Sequence, residues 1–350
     1  MSGLIIITLS ILVFIVIYQV AKASEFTTII RGEHATFLRT NRFIAWLMVV
    51  VFVLGFWGIW ECHRLLMPYM LPEAASNHGE VYDSTLKTML YVTVGVFIGT
   101  HILLFYFIFK YQYSDKRKAL FYPYNNTLEV LWTTVPASVL IVLGIFGIIN
   151  WFKITGPPPA KDTMVVQIVG KQFNWVIRYP GPDGILGKTD FRKINDAHNV
   201  LGLDWDDPAA LDDIIIGNGE MHLAKDVPVQ LVINSRDVVH SVGLPHFRMK
   251  MDAVPGITTT IWFTPTITTQ QMVDRTGNKD FVYEIACDQM CGNGHYSMRG
   301  TIIVDERTSF KAWLGQQPSY YSTVKDQIEK PDAPAEEATA SVQTVDNQLP

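Results

Sequence analysis

The sequence predicts a membrane-anchored α plus all-β protein, in which transmembrane helices precede a β-sandwich or barrel. Three observations carry that expectation. Four long apolar stretches fill most of the first 152 residues, the loops between them alternate in basic content, and after Trp151 short β-rich runs separated by turns take over. The chain has 350 residues, enough for an anchor and one further domain of ordinary size. Hydrophobic residues make up 49% of it and the net charge is only −5, so nothing favours nucleic acid as a partner.

The apolar stretches cover residues 4–20, 43–60, 89–109 and 130–152, and none contains Lys, Arg, Asp or Glu. A helix of roughly 20 residues crosses a bilayer and satisfies its own backbone there. The segment after the first stretch holds Lys22, Arg31, Arg39 and Arg42, and the one after the third holds Lys110, Lys116, Arg117 and Lys118. Between the second and third, Glu61, Glu73, Glu80 and Asp83 outnumber Arg64 and Lys87. The positive-inside rule puts the two basic segments in the cytoplasm and everything after Phe152 outside. Val20-Ala21-Lys22-Ala23 offers a small-x-small cleavage site, but Met1-Ser2-Gly3 lacks the basic start of a secretion signal. The first helix is therefore expected to be retained.

Gly156-Pro157-Pro158-Pro159 then forms a stiff exit from the last helix. Strands are expected near 164–179, 227–234, 258–264, 281–285 and 300–304, in an antiparallel arrangement. The stretch of about 181–225 is an acidic insertion, with Asp204, Asp206, Asp207, Asp212 and Asp213 close together. It reads first as a solvated surface insertion and second as an acidic docking surface. The Pro-, Ala- and Glu-rich residues 321–350 are expected to be disordered.

The chemistry concentrates in Cys287-Asp288-Gln289-Met290-Cys291-Gly292-Asn293-Gly294-His295-Tyr296-Ser297-Met298. Two thiols, an imidazole and a thioether select copper over hard cations, and the thioether argues against zinc. A redox disulfide between Cys287 and Cys291 would leave His295 and Met298 without a role. A single blue-copper site needs one Cys, so the second one points to two thiolate-bridged coppers with one histidine each. The second histidine must come from elsewhere. His240, directly after a β-rich run, is the candidate and His246 its competitor; spacing alone does not choose between them. An upstream-strand histidine meeting a downstream Cys/His/Met loop is how a cupredoxin-type β-sandwich assembles copper.

These elements together resemble subunit II of cytochrome c oxidase. The resemblance spans about residues 85–320 and rests on Cys-x3-Cys-Gly-x2-His-x2-Met and His240-Ser241. It rests further on Met251-Asp252-Ala253-Val254-Pro255-Gly256, on the aromatic segment 170–179, and on residues 126–136 at the start of the fourth helix. It implies a dinuclear CuA centre held by the side chains of His240, Cys287, Cys291, His295 and Met298, with Gln289 giving its backbone carbonyl. It implies that Glu129 stands at the mouth of a proton pathway in a partner subunit, as befits an acid at a helix end in lipid.

Three departures from the family pattern stand out. Gln289 replaces a glutamate that helps hold an interface magnesium or manganese, which leaves that metal open. Phe173 stands where the family has its electron-accepting tryptophan, although Trp175 is kept. Residues 1–62 supply two additional helices before the usual hairpin at 85–153. The external cupredoxin-like domain is expected at 154–320.

The implied function is the electron-accepting subunit of a respiratory cytochrome c oxidase in a bacterial inner membrane, with the C-terminal domain in the periplasm. A cytochrome c, or a cytochrome domain of a neighbouring complex, would deliver electrons. The catalytic haem-copper subunit I would receive them for oxygen reduction and proton pumping, alongside other oxidase subunits. The rivals are the CuA subunit of a nitric oxide reductase and a membrane copper-delivery protein. Glu61, Cys62 and His63 read as an interfacial cluster, and His101 as a helix-packing contact.

Overall fold

The computed structural model describes residues 2–159 and 162–329. It divides into two compact units, Met1–Leu71 with Thr85–Ile145, and Pro72–Ser84 with Phe146–Pro350. The far end of the tail, 330–350, where disorder is expected, lies outside the described residues.

Four helices are long and apolar enough to cross a membrane. They are α1 (Ser2–Arg31), α2 (Glu33–Leu66), α3 (Asn77–Lys110) and α4 (Asn126–Thr155). Each runs well past its apolar stretch, so the basic segment expected as a loop between the first two is itself helical. Its single break is Gly32, whose φ of 82° suits a residue without a Cβ. In the first unit, α2 meets α3 where Trp46 lies edge-on to Phe109 at 4.9 Å, and meets the segment just after α3 where Phe37 lies edge-on to Tyr113 at 5.0 Å. His101 returns Nδ1 to the Phe97 carbonyl at 2.8 Å and packs on the Phe97 ring at 4.0 Å, as a packing residue does. Glu61 is paired with Arg64 at 2.7 Å, which occupies the carboxylate beside Cys62.

The second unit is a sandwich of two five-stranded sheets. The strands are β1 (Met164–Lys171), β2 (Asn174–Tyr179), β3 (Ile214–Ile216), β4 (Glu220–Ala224) and β5 (Val229–Ser235). They continue with β6 (His240–Leu244), β7 (Met249–Ala253), β8 (Thr259–Phe263), β9 (Tyr283–Cys287) and β10 (Arg299–Asp305). One sheet has the order β3-β2-β1-β5-β8 and the other β4-β10-β9-β6-β7. The run expected at 164–179 is a hairpin, not one strand. The arrangement is also mixed, since β1 pairs with β5 and β10 with β4 in parallel. Parallel neighbours need long crossovers, which a run-by-run reading of sequence cannot see. Between the sheets, Ile168, Trp175, Ile177, Leu231, Phe263, Met221, Val242, Ile285 and Ile302 are buried.

The insertion is not a solvated loop. It contributes β3 and β4, and it places Leu201 and Val200 over the cross-strand pair Val169–Val176 on the outer face of the first sheet. That second buried face explains why β1 and β2 read as continuous apolar runs. Arg178 on β2 anchors the insertion through a buried ion pair with Asp213 and a bond to the Gly187 carbonyl at 2.6 Å. The acids are largely spoken for: Lys193 takes Asp204 and also approaches Asp206, and Arg236 takes Asp196.

The start of the tail also departs from the expected disorder. Helix α7 (Tyr320–Glu329) follows α5 (Thr269–Thr276) and α6 (Arg307–Leu314), and it docks on the insertion. The Tyr320 N–H donates to the Asp213 carbonyl at 2.7 Å, and Tyr321 lies 5.3 Å from Trp205. Two tyrosines and Val324 supply an apolar anchor that bulk composition hides. The segment before α3 and the first turns of α3 are part of this unit too. Ser76 bridges Pro265, and Arg248 pairs with Asp83 at 2.8 Å.

Candidate metal centre

His240 opens β6 and Cys287 closes β9, and the two strands are antiparallel neighbours with Val242 opposite Cys287. The loop leaving β9 returns as β10, and the Cys287 N–H donates to the Met298 carbonyl at 3.2 Å to close it. Cys291, His295 and Met298 are carried within that closed turn. Sheet register therefore brings together residues 47 positions apart, which no local spacing encodes.

Around the two sulfurs the donors fall into two sets. The Sγ atoms of Cys287 and Cys291 are 3.8 Å apart. Cys287 Sγ is 3.8 Å from His240 Nδ1 and 3.2 Å from the Gln289 carbonyl oxygen. Cys291 Sγ is 3.7 Å from His295 Nδ1 and 3.8 Å from Met298 Sδ. His240, Cys287 and Cys291 are buried and form the one cluster of three or more His, Cys or acidic groups close enough to share a metal among the described residues. Burial, and then the neighbouring Cys287 thiol, push the Cys291 thiol up to about 11. A soft cation reverses that by replacing the proton.

His246 is not at this centre. It packs edge-on against Phe281 and Tyr283, 5.2 Å from each, and burial with Arg248 nearby lowers its pKa. Trp175 is buried edge-on to His240 at 5.9 Å, while Phe173 sits in the β1–β2 turn and is 39% exposed. Glu129 is exposed in the first turn of α4.

Two supporting residues escaped the sequence reading. Asp237 accepts from His240 Nε2 at 2.8 Å, which fixes the tautomer and leaves Nδ1 with its lone pair toward the sulfurs. Burial raises that carboxyl, but bonds from the Gln172 and Val238 N–H groups and from His240 outweigh it and hold its pKa low. A carboxylate three residues before a ligand-type histidine was a usable signal. Gln172 left no such signal: its N–H donates to Asp237 Oδ2 at 2.7 Å, and its side-chain amide donates to the Cys291 carbonyl at 2.6 Å. One residue thus braces both halves of the site. Gly292 has a φ of 133°, and a Cβ on Gly294 would lie 2.6 Å from the Phe173 ring, so the loop backbone rests directly on that ring.

The donor set fits copper. Both sulfurs are within reach of a single cation at an ordinary metal–sulfur distance of about 2.3 Å. Soft sulfur with imidazole is the ligand chemistry of copper, and a carboxylate-oriented histidine is usual around bound metals.

Comparison with known proteins agrees with this chemistry. Residues 64–149 match the family model for the cytochrome c oxidase subunit II transmembrane domain, and residues 164–306 match that for its periplasmic domain. An alternative cytochrome c oxidase subunit 2 from Bradyrhizobium diazoefficiens is 34% identical over 258 residues, covering 73% of this chain and 87% of that protein. A cytochrome c oxidase subunit 2 from Thermostichus vulcanus is 28% identical over 289 residues, covering 77% and 83%. Among solved structures, the periplasmic domain of subunit II of cytochrome oxidase from Bradyrhizobium japonicum is 23% identical and covers 47% of this chain and 94% of its own, with a TM-score of 0.29.

Proposed function

The chain belongs to the cytochrome c oxidase subunit II family, and from that premise we propose that it is the electron-accepting subunit of a respiratory oxidase, built around a CuA centre. The ligands are the side chains of His240, Cys287, Cys291, His295 and Met298 and the backbone carbonyl of Gln289. The observation that carries this reading is the pair of sulfurs 3.8 Å apart, each beside its own imidazole nitrogen. Two coppers held by these residues would supply a centre that takes up one electron with little change of charge at each metal, and so with little reorganisation.

The chain's own residues then have defined tasks. Asp237 orients His240, and Gln172 holds Asp237 and the Cys291 backbone in register. Both cysteines are buried, which suits a site that passes electrons. Phe173, half-exposed and pressed on the copper loop, is the side chain that bridges solvent and site, with Trp175 behind His240. Electrons come from a cytochrome c or cytochrome domain and leave for haem in the catalytic subunit, where oxygen is reduced to water and protons are pumped. Glu129 serves the proton pathway of that subunit. The anchor lies in a bacterial inner membrane, with the β-sandwich in the periplasm. The uncharged Gln289 offers no carboxylate to an interface magnesium or manganese.

The test is the electron paramagnetic resonance spectrum of the full chain in detergent, with a copper count. Two coppers per chain and a seven-line hyperfine pattern are expected, because one electron is shared by two equivalent nuclei. One copper with four lines, or preferential zinc uptake, defeats the assignment. Gly170→Ala supplies a second check. The added Cβ would sit 2.8 Å from His240 Cδ2 and 3.2 Å from Trp175 Cζ3, so the ring must move. Copper affinity is expected to fall about tenfold, the scale of lost ligand orientation. Titration against a copper-buffered chelator measures it, and unchanged affinity would mean that His240 is not a ligand.

A further inference from the structure

Away from the copper centre, a groove of about 450 Å³ opens across the break between α1 and α2. Gly32, with its φ of 82°, is the single residue joining the two helices. Ser24, Thr27 and Arg31 line the groove from α1, and Thr36, Arg39, Thr40 and Phe43 line it from α2. Spacings of three and four residues put each set on one face of its helix. All of these residues precede residue 64, where the match to the transmembrane family model begins.

The groove is cationic and rich in donors. Arg31 and Arg39 bring two guanidiniums to it, while nearby carboxylates face other partners, Glu25 with Lys22 at 2.7 Å and Asp115 with His34 at 3.2 Å. Glu33 lines the adjoining groove with His34, not this one. Thr27 donates its hydroxyl to the Ala23 carbonyl at 2.7 Å, whereas Thr36 Oγ1 is buried with no hydrogen-bond partner among the described residues. An unpaired buried hydroxyl is costly, so one on a cationic groove points to an acceptor brought from outside. Two guanidiniums beside hydroxyls match a phosphate, whose ionised oxygens only accept. Phe43 adds an apolar wall at the start of the second apolar stretch and is 65% exposed.

We propose that this groove binds one anionic phospholipid of the cytoplasmic leaflet, its phosphodiester held by Arg31, Arg39 and Thr36 and its acyl chains running past Phe43. The positive-inside rule puts this basic segment on the cytoplasmic side, and basic pockets between membrane helices on that side suit anionic headgroups. A zwitterionic headgroup carries its own cation toward the two guanidiniums and binds less well. Free phosphate offers the same oxygens but has nothing to lay against Phe43. A lipid seated across the break holds the faces of α1 and α2 together where the chain itself links them through one glycine.

The experiment uses the full chain in detergent micelles and counts bound ligand by native mass spectrometry. The probes are dioleoyl phosphatidylglycerol, dioleoyl phosphatidylcholine and inorganic phosphate. One phosphatidylglycerol per chain is expected, at least about tenfold tighter than phosphatidylcholine and not displaced by excess inorganic phosphate. Arg31→Gln combined with Arg39→Gln should weaken it about tenfold or more. Thr36→Val, which keeps the side chain's shape and changes no charge, should weaken it about fivefold and guards against a misfolded arginine variant. Arg42→Gln removes a charge from the same basic segment outside the groove and should change affinity less than about twofold. Equal binding of phosphatidylcholine, or unchanged affinity in the arginine and Thr36 variants, overturns the proposal. A loss with Arg42→Gln as large as with the arginine pair overturns it by making the attraction diffuse. Displacement by inorganic phosphate overturns it by making the groove a site for a soluble anion.

Discussion

Cys291→Ser is expected to stop electron input through this chain, lowering donor-driven turnover of the complex at least about a hundredfold. Changes that act only through a ligand's outer partners cost about 10- to 100-fold. Cys291 acts directly, since its sulfur lies within 3.8 Å of Cys287, His295 and Met298. Serine puts a hard hydroxyl where a soft bridging thiolate is needed, and a hydroxyl is not ionised at neutral pH. The seven-line spectrum should collapse to four lines or vanish. Turnover driven by a small artificial reductant that feeds the catalytic subunit directly should survive, which separates lost electron input from failed assembly. Donor-driven turnover above about a tenth of the unsubstituted value would remove Cys291 from the bridge.

Arg178→Ala is expected to cost about 3–5 kcal/mol of stability in the β-sandwich, the range for stranding one member of a buried ion pair. Arg178 and Asp213 are 1% and 0% exposed, so no water replaces the lost partner. The guanidinium also donates to Gln167 Oε1 at 2.9 Å and to the Gly187 carbonyl at 2.6 Å, tying β1, β2 and the insertion together. At about 2–4 °C per kcal/mol for a unit of this size, thermal unfolding of the full chain in detergent should begin about 10 °C earlier. The double change Arg178→Met with Asp213→Leu should recover much of the loss, because well-packed apolar groups often match a buried pair. A double variant no better than the single one would show that the hydrogen bonds to Gln167 and Gly187, not the stranded charge, hold the insertion.

Much of the molecule was legible in its sequence. Uninterrupted apolar stretches determine the four helices capable of crossing a bilayer, because length and polarity alone set the cost of insertion. The copper loop was equally plain, since four soft or borderline donors within twelve residues have few other uses. β5 and β10 alternate buried and half-buried positions, and both were visible as strands. β6 was not, because it is buried throughout and a period of two never appears. The cluster of aspartates in the insertion suggested solvent, yet Arg178 from β2 takes Asp213, and Lys193 within the insertion takes Asp204.

The sequence by itself determined the two-part construction and the candidate metal-binding loop, since hydropathy and donor chemistry are properties of short stretches. Spacing left His240 and His246 open and the family resemblance favoured His240; the tertiary structure supplies the physical reason, because register across β6 and β9 puts that imidazole beside Cys287 and packs the other against Phe281 and Tyr283. It alone revealed Gln172 and Asp237 as braces, through bonds that join the β1–β2 turn, the approach to β6 and the loop after β9. Contacts of that kind depend on how strands pair, and strand pairing is a property of the whole sheet.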